Sequence, residues 1–339
     1  MRVLDEFFSS SGRRAHQHGP QYVELWRQLR HSTTGGKLFR PRMVFTAYDG
    51  LGGVDDEAVA WVGAAFELLH TALIVHDDVI DRDFVRRGLP NISGTYRDRA
   101  LAAGAPQHEA EHRGLSAAVV AGDLALFYSY RLIDRSGVTG RRRRRVLDLM
   151  DDALFASAAG ELLDLDYSGA ISIPTVDSIL TMARLKTAVY SFEGPLMAGA
   201  VMAGASDAVV ASLEDFGREL GTAYQIVDDL LGVFGDAEET GKSTTSDLRE
   251  GKRTVLVAHA ASTEIWREMV PLFGSPTLSD LEADGLRAKL DQSGARAYAE
   301  ALLAEHVQRA RNVLARAEMP EALRAGLEPV IETVLRRGR

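Results

Sequence analysis

Apolar residues recur at three- and four-residue spacing along almost the whole chain, and no run alternates apolar and polar as a half-buried strand does. The spacing predicts helices over about 21–30, 38–49, 55–84, 115–133, 146–168, 173–203, 206–235 and 253–262, with three more toward the C-terminus. Residues 1–34 open on a short N-terminal segment before the first of these helices, and residues 85–114 read as a connection holding one short helix. There is no hairpin turn signal, repeat or low-complexity segment, and no Pro/Gly/Ser linker long enough to separate modules. The expected fold class is therefore all-α, a single domain over residues 1–339.

Composition narrows this further. A chain of 339 residues, 46% of them hydrophobic, can bury a large core. The lack of cysteine excludes disulfides and thiolate metal sites. A net charge of −9 argues against a general nucleic-acid or anionic-membrane surface, so no nucleic-acid partner is expected. The N-terminus MRVLDEFFSSSGRRAH carries no sustained apolar core, and the apolar runs at 58–75 and 119–126 contain Glu67, His70 and Asp123. They read as buried helices, which leads to the expectation of a cytoplasmic protein without stable membrane insertion. Asp123 is expected to be buried and bonded to a neighbour, and the arginine run at 141–145 to be a solvated loop and helix start.

Two acidic stretches change the picture. In residues 67–90, ELLHTALIVHDDVIDRDFVRRGLP, helical winding places Glu67, His70, Ile74, Asp77, Asp78 and Asp81 on one face. Apart from Arg82, which is followed at once by Asp83, no cation follows the three aspartates until Arg86 and Arg87. By average composition one DDxxD arises by chance in roughly one chain of this length in ten, so it says little alone. A second copy lies far along the chain, where Asp228, Asp229 and Asp236 again share a face. Facing oxygen ligands without cysteine suit Mg²⁺, which binds through a few carboxylates, waters and substrate phosphates. The implied ligand is a metal-chelated diphosphate.

Of 39 basic residues only five are lysines, at 37, 186, 242, 252 and 289. Lysine is a compact point charge that arginine does not replace freely, and four of the five fall in or near these stretches, which marks Lys37, Lys186, Lys242 and Lys252 as phosphate-facing. The pair Gly35-Gly36 before Lys37, with Arg40 in the first turn of the next helix, lets backbone N–H groups approach an anion. Glu67-x-x-His70 and Glu109-x-x-His112 match the halves of a di-iron carboxylate motif. That reading fails on context, because Glu109 and His112 stand in the Gly/Pro-bounded polar stretch GAPQHEAEHRG.

Taken together these residues resemble the trans-isoprenyl diphosphate synthases, in the family's order from about 35 to 252. Asp77, Asp78, Asp81, Arg86, Arg87 and Gly88 are similar to its DDxxD and RRG. Tyr224, Gln225, Asp228 and Asp229 are similar to its FQxxDDxxD, and Gly35, Gly36, Lys37, Arg40 and Pro41 to its GGKxxRP. Gly122-Asp123, Gly160-Glu161-x-x-Asp164 and Lys186-Thr187 look like its GD, GQxxD and Lys-Thr boxes. Glu161 stands in place of the Gln of the GQxxD box, and three further positions depart from the pattern: Gly232 ends the second motif, with Asp236 one turn on as a replacement, Leu38 stands for a basic residue and Tyr224 for Phe.

The resemblance implies an isoprenoid-synthase helical bundle with a central cavity, a homodimer, and condensation of isopentenyl diphosphate with dimethylallyl, geranyl or farnesyl diphosphate. It implies about three Mg²⁺ held by Asp77, Asp78, Asp81, Asp228 and Asp229. Arg86, Lys186, Thr187, Gln225, Lys242 and Lys252 would hold the allylic diphosphate; Lys37, Arg40, His70 and Arg87 would hold isopentenyl diphosphate. Product length is set by residues above Asp77. Ala72 and Leu73 are not aromatic, and Phe66 lies eleven residues away, about 16 Å along a helix. That leaves room for three to four units of about 4–5 Å, hence a C20 product, which Phe127 or a partner subunit would adjust. A C25 or longer product and a noncatalytic subunit of a heteromeric synthase are the alternatives. A class I terpene cyclase does not fit, because Asp228-Asp229 followed by Gly241-Lys242 is not its second motif.

Overall fold

The computed structural model describes residues 2–168, 172–235 and 244–337. Their order is α1 (Arg2–Ala15), a 3₁₀ turn (His16–His18), α2 (Pro20–Thr34), α3 (Phe39–Gly50), α4 (Asp56–Ile80), a hairpin of β1 (Val85–Arg86) and β2 (Leu89–Pro90), α5 (Ile92–Ala102), α6 (Gln107–Arg135) and α7 (Gly140–Ser168). Then come α8 (Val176–Ala183), a π-helix (Arg184–Glu193), α9 (Gly194–Ala203), α10 (Asp207–Phe234), α11 (Ser246–Glu250), α12 (Val255–Ala260), α13 (Trp266–Met269), α14 (Asp280–Gln292), α15 (Ala295–Leu314) and α16 (Glu321–Arg337). The chain is all-α apart from that hairpin, the only β-structure among the described residues.

Helix α4 is the axis. Asp55 caps it through a bond from Ala58 N–H, and Asp56 and Glu57 in its first turn oppose the helix dipole. Its middle is apolar on nearly every side because neighbours cover every side: α6 most extensively, α3, α9 and the π-helix besides. Phe66, Leu68, Leu69 and Ala72 are fully buried there. On the far side α10 packs on the π-helix, α9 and α15. A second apolar cluster, including Ile226, Val233, Leu256, Leu286 and Leu290, lies under the C-terminal half of α10.

Several expectations change. A helix covers Arg2–Ala15, buried through Val3, Leu4, Phe7 and Phe8. The hairpin at 85–90 was not signalled, because each strand is only two residues long. Helix α6 begins at Gln107, so Glu109 and His112 are helical after all; His112 is exposed and Glu109 pairs with Arg113, which leaves no di-iron half-site. The arginines 141–145 are already the first turns of α7.

Both α4 and α6 are long and apolar enough to cross a membrane by length and composition, but α4 is the core of the bundle. Helix α6 differs: Val119, Val120 and Phe127 are exposed on it, as are Phe155, Leu162 and Leu165 on α7. Phe127, at 61% exposure, faces outward rather than lining an inner wall. Asp123 shares that outer face and is exposed, where the sequence pattern suggested burial; it pairs with His76, whose Nε2 lies 3.5 Å from Oδ1.

Candidate active site

Helix α4 stops where its acidic motif needs it to. Asp83 N–H donates to the Asp78 carbonyl (2.8 Å) and Arg82 N–H to that of Val79, with Arg82 at φ 56°, a Schellman ending built on a non-glycine residue. The chain then reverses through Arg87 (φ 55°) and Gly88 (φ 74°), two successive left-handed residues as a tight hairpin turn requires. This turn splits the two arginines. Arg86 Nε and Nη2 donate to Asp78 Oδ1 at 2.8 and 2.6 Å, and Nη2 reaches Asp77 Oδ2 at 3.4 Å. Arg87 Nη1 donates instead to the Gly35 carbonyl, 2.7 Å away.

Lys186, in the π-helix, faces Asp77 from the other side. Its Nζ lies 3.2 Å from Asp77 Oδ1, 3.0 Å from Glu161 Oε2 and 2.6 Å from Asp164 Oδ2. Burial works against its charge, but the three carboxylates outweigh it and raise its pKa. Asp81, at the end of α4, is pushed up to about 7 by burial and then by the neighbouring Asp77 charge.

The second acidic motif is tied to the same π-helix. Thr187 Oγ1 donates to Gln225 Oε1 (3.3 Å), and Gln225 Nε2 to Asp229 Oδ1 (3.0 Å). Asp229 is buried and pushed up to about 7; burial is the main cause, Lys252 and Gln225 oppose it, and Asp247 and Asp228 add to it. Burial opposes the Lys252 charge, while Asp247, Asp229, Asp228 and Asp164 hold it in place and raise its pKa. Asp236 and Lys242 lie outside the described residues. The space beside Gly232 is taken: a methyl group there would lie 2.9 Å from Asp247 Cγ. Asp247 thus presents its carboxylate beside the motif position that lacks one.

A basic pocket forms around the glycine pair. Arg40 Nη2 donates to Ser191 Oγ at 2.7 Å and to Tyr190 OH at 3.4 Å, and its guanidinium lies 5.1 Å from the Tyr190 ring centre. The Tyr190 hydroxyl is 3.3 Å from His70 Nδ1. Burial, then the charges of Arg40, Arg86 and Arg87, push the His70 pKa well below its usual range, so His70 is neutral and acts by hydrogen bonding. Glu67 lies beneath, its carboxyl raised by burial and partly restored by Arg40. Lys37 is exposed at the rim, and Leu38 bends the chain into α3 in the left-handed region, at φ 50°. Tyr224 stacks with Phe39 and leans on Phe192, filling the place expected for Phe.

Arg40, His70 and Arg87 therefore stand together, with Lys37 exposed three residues before Arg40, and the acidic residues stand with Arg86, Lys186, Thr187, Gln225 and Lys252. Tyr190, Ser191 and Asp247 were not picked out from sequence. Asp247 had a signal, a carboxylate five residues before Lys252; Tyr190 and Ser191 had none without the π winding. Phe66 is buried with its ring edge against Gly194, where a methyl group would meet it at 3.0 Å; Ala72 is buried and Leu73 half-buried.

The donor set fits Mg²⁺. Burial, ahead of neighbouring charge, pushes two of its carboxyls up to about 7, and a bound cation would offset that cost. Among the described residues no three Asp, Glu or His side chains converge to hold an ion by themselves.

Comparison with known proteins identifies the family. The polyprenyl synthetase family profile matches residues 23–271. The chain is 33% identical over 309 residues to a geranylfarnesyl diphosphate synthase of Aeropyrum pernix, covering 88% of this chain and 91% of that one. It is 32% identical over 316 residues to a geranylgeranyl diphosphate synthase of Mycobacterium tuberculosis, covering 90% and 81%. The fold superposes with a TM-score of 0.91 on a geranylgeranyl pyrophosphate synthase of Corynebacterium glutamicum complexed with isoprenyl diphosphate and magnesium, at 28% identity over 99% of this chain and 97% of that one. With its two acidic helix ends gathered on one π-helix, this chain belongs to the polyprenyl synthetase family.

Proposed function

We propose that the 339 residues form one catalytic domain, a trans-prenyltransferase that condenses isopentenyl diphosphate with an allylic diphosphate and releases a C20 product, geranylgeranyl diphosphate. The observation that carries this is the π-helix link: Lys186 is ion-paired with Asp77 while its neighbour Thr187 reaches Asp229 through Gln225. Two aspartate motifs about 150 residues apart in sequence thereby face one space.

Asp77, Asp78, Asp81, Asp228 and Asp229 hold about three Mg²⁺, with Asp247 beside them. Bound there, Mg²⁺ neutralises diphosphate charge and stabilises the leaving pyrophosphate. Arg86, Lys186, Lys242 and Lys252 grip the allylic diphosphate, with Thr187 and Gln225 orienting them. Lys37, Arg40, His70 and Arg87 hold isopentenyl diphosphate so that its double bond faces the allylic carbon. The allylic C–O bond breaks, its electron pair leaves on pyrophosphate, the double bond of isopentenyl diphosphate forms the new C–C bond, and a proton is lost to the departing pyrophosphate. The site's fixed charges are set before the bond breaks, which is where such sites gain most.

Phe66 supports C20. It is fully buried on the face of α4 that carries Asp77 and blocks the space beside Gly194. Ala72 favours a second reading, a C25 product, since a small residue there leaves the first part of the path open, and the Aeropyrum pernix relative carries a geranylfarnesyl name. The exposed apolar residues of α6 and α7 support a homodimer formed across that face. We assign the protein to the cytoplasm, with no stable insertion into a membrane.

The test is incorporation of labelled isopentenyl diphosphate by purified protein with Mg²⁺ and each primer, beside Asp77→Asn and Asp228→Asn. Label in an allylic product, lost in both variants, is expected. Turnover in both variants equal to that of the wild type would remove the acidic ends from the reaction.

A further inference from the structure

Helix α8 passes into the π-helix without a break, and the change of winding has a local cause. Pro195 has no N–H, and in an α-helix its ring collides with the carbonyl four residues back, that of Ser191. Gly194 N–H donates to the Val189 carbonyl, five residues back, so the wider winding continues up to the proline. A wider turn protrudes, and glycines on neighbouring helices make room for it. A methyl group on Gly160 of α7 would lie 2.6 Å from Lys186 Cα; on Gly217 and Gly221 of α10 it would lie 2.8 Å from Glu193 Cα and 2.9 Å from Ala188 Cα.

The two ends of this segment are joined. Arg184 Nε and Nη2 donate to Glu193 Oε1 and Oε2, both at 2.9 Å, a fork-to-fork pair. Glu193 is 2% exposed and Arg184 36%. In an α-helix nine residues make about two and a half turns and would send these side chains to opposite faces. With i→i−5 bonding a turn takes roughly 4.4 residues, so nine residues make about two turns and the side chains meet. The pair closes only in the π winding.

Between those ends sit the residues that serve both halves of the site. Over the four residues from Lys186 to Tyr190 the two windings differ by about 70° in relative direction. In the π winding Lys186 meets Asp77 while Tyr190 and Ser191 meet His70 and Arg40. Neither Arg184 nor Glu193 reaches those groups.

We propose that Arg184 and Glu193 are positioning residues, a bidentate staple that fixes the π winding and so sets the direction of the allylic-diphosphate group Lys186 relative to Tyr190 and Ser191, which hold the isopentenyl-diphosphate groups. This rests on the assignment of Lys186 and Arg40 to the two diphosphates. The staple acts on both subsites at once, which a single substrate contact does not do.

Steady-state kinetics against each substrate test it, with Lys186→Ala as reference. The double variant Arg184→Met/Glu193→Leu removes both charges and leaves none buried alone. It is expected to lower kcat at least tenfold and raise KM for both diphosphates at least threefold, whereas Lys186→Ala raises KM mainly for the allylic one. Arg184→Lys keeps the charge at a part-exposed position and loses the fork, so it should raise both KM values about threefold. A double variant with kcat and both KM values within twofold of wild type, or an Arg184→Lys with neither KM changed, overturns the staple. A silent Lys186→Ala would instead overturn the site assignment, and the staple with it.

Discussion

Lys186 Nζ lies 3.2 Å from Asp77 Oδ1, which makes the π-helix and the last turn of α4 two sides of one charged space. The same ammonium meets Glu161 and Asp164, so a compact, rotatable donor is shared among three carboxylates. A planar guanidinium cannot reproduce that arrangement. Lys186→Ala is expected to lower kcat/KM by about 10²–10³, the usual loss for one preorganised electrostatic group, and Lys186→Arg to recover only part of it. Initial rates at varied allylic diphosphate measure both.

Gly232 invites a misleading repair. Restoring the third aspartate of the second motif would drive its Cβ into the Asp247 carboxylate, whose Cγ stands 2.9 Å from where that carbon would be. Gly232→Asp should therefore reduce kcat about tenfold or more and lower Tm by several degrees, the scale of an overpacking cost of about 1–3 kcal/mol. Asp247→Ala should weaken Mg²⁺ dependence, read as a rise in the Mg²⁺ concentration for half-maximal rate.

Asp81 and Asp229 give the metal-free protein a pH signature. Each carboxyl, pushed up to about 7 from an ordinary 3.8, keeps its proton when folded over a range where the unfolded chain has lost it. Stability from these two groups is therefore fully present below the unfolded value of 3.8 and is lost as pH rises through about 7. His70, held neutral, acts in the opposite direction below its usual pKa, so the comparison that isolates the aspartates is with Asp229→Asn. Thermal melts should show a smaller fall of Tm between pH 5 and 8 in that variant, and in wild type a larger gain from Mg²⁺ at pH 8 than at pH 5.

What the sequence revealed depended on whether a side chain's neighbours follow from helical spacing. The two acidic motifs, the glycine pair and the paired arginines were legible because each acts within one turn or one loop. Asp123 was misread because Val119, Val120 and Phe127 look like core residues, and on an outer apolar face the same pattern carries the opposite burial. Helix α1 was hidden by three serines and a glycine in its middle, and it owes its order to Phe7 and Phe8 packing on Trp26. The π-helix was invisible for a different reason: its winding matches neither period, so Tyr190 and Ser191 could not be placed beside Arg40.

Phe66 offers a product-length test independent of rate. Phe66→Ala opens the space beside Gly194 and should shift the main product beyond C20, while Ala72→Phe should shorten it toward C15. Chromatography of dephosphorylated products reads both. A Phe66→Ala product of unchanged length would place the floor elsewhere.

The most direct test of the whole account is the product made by the purified protein alone from isopentenyl diphosphate, Mg²⁺ and dimethylallyl, geranyl or farnesyl diphosphate in turn. A C20 alcohol after dephosphorylation, formed from at least one primer and abolished by EDTA, is the predicted result. No product from any primer would contradict it.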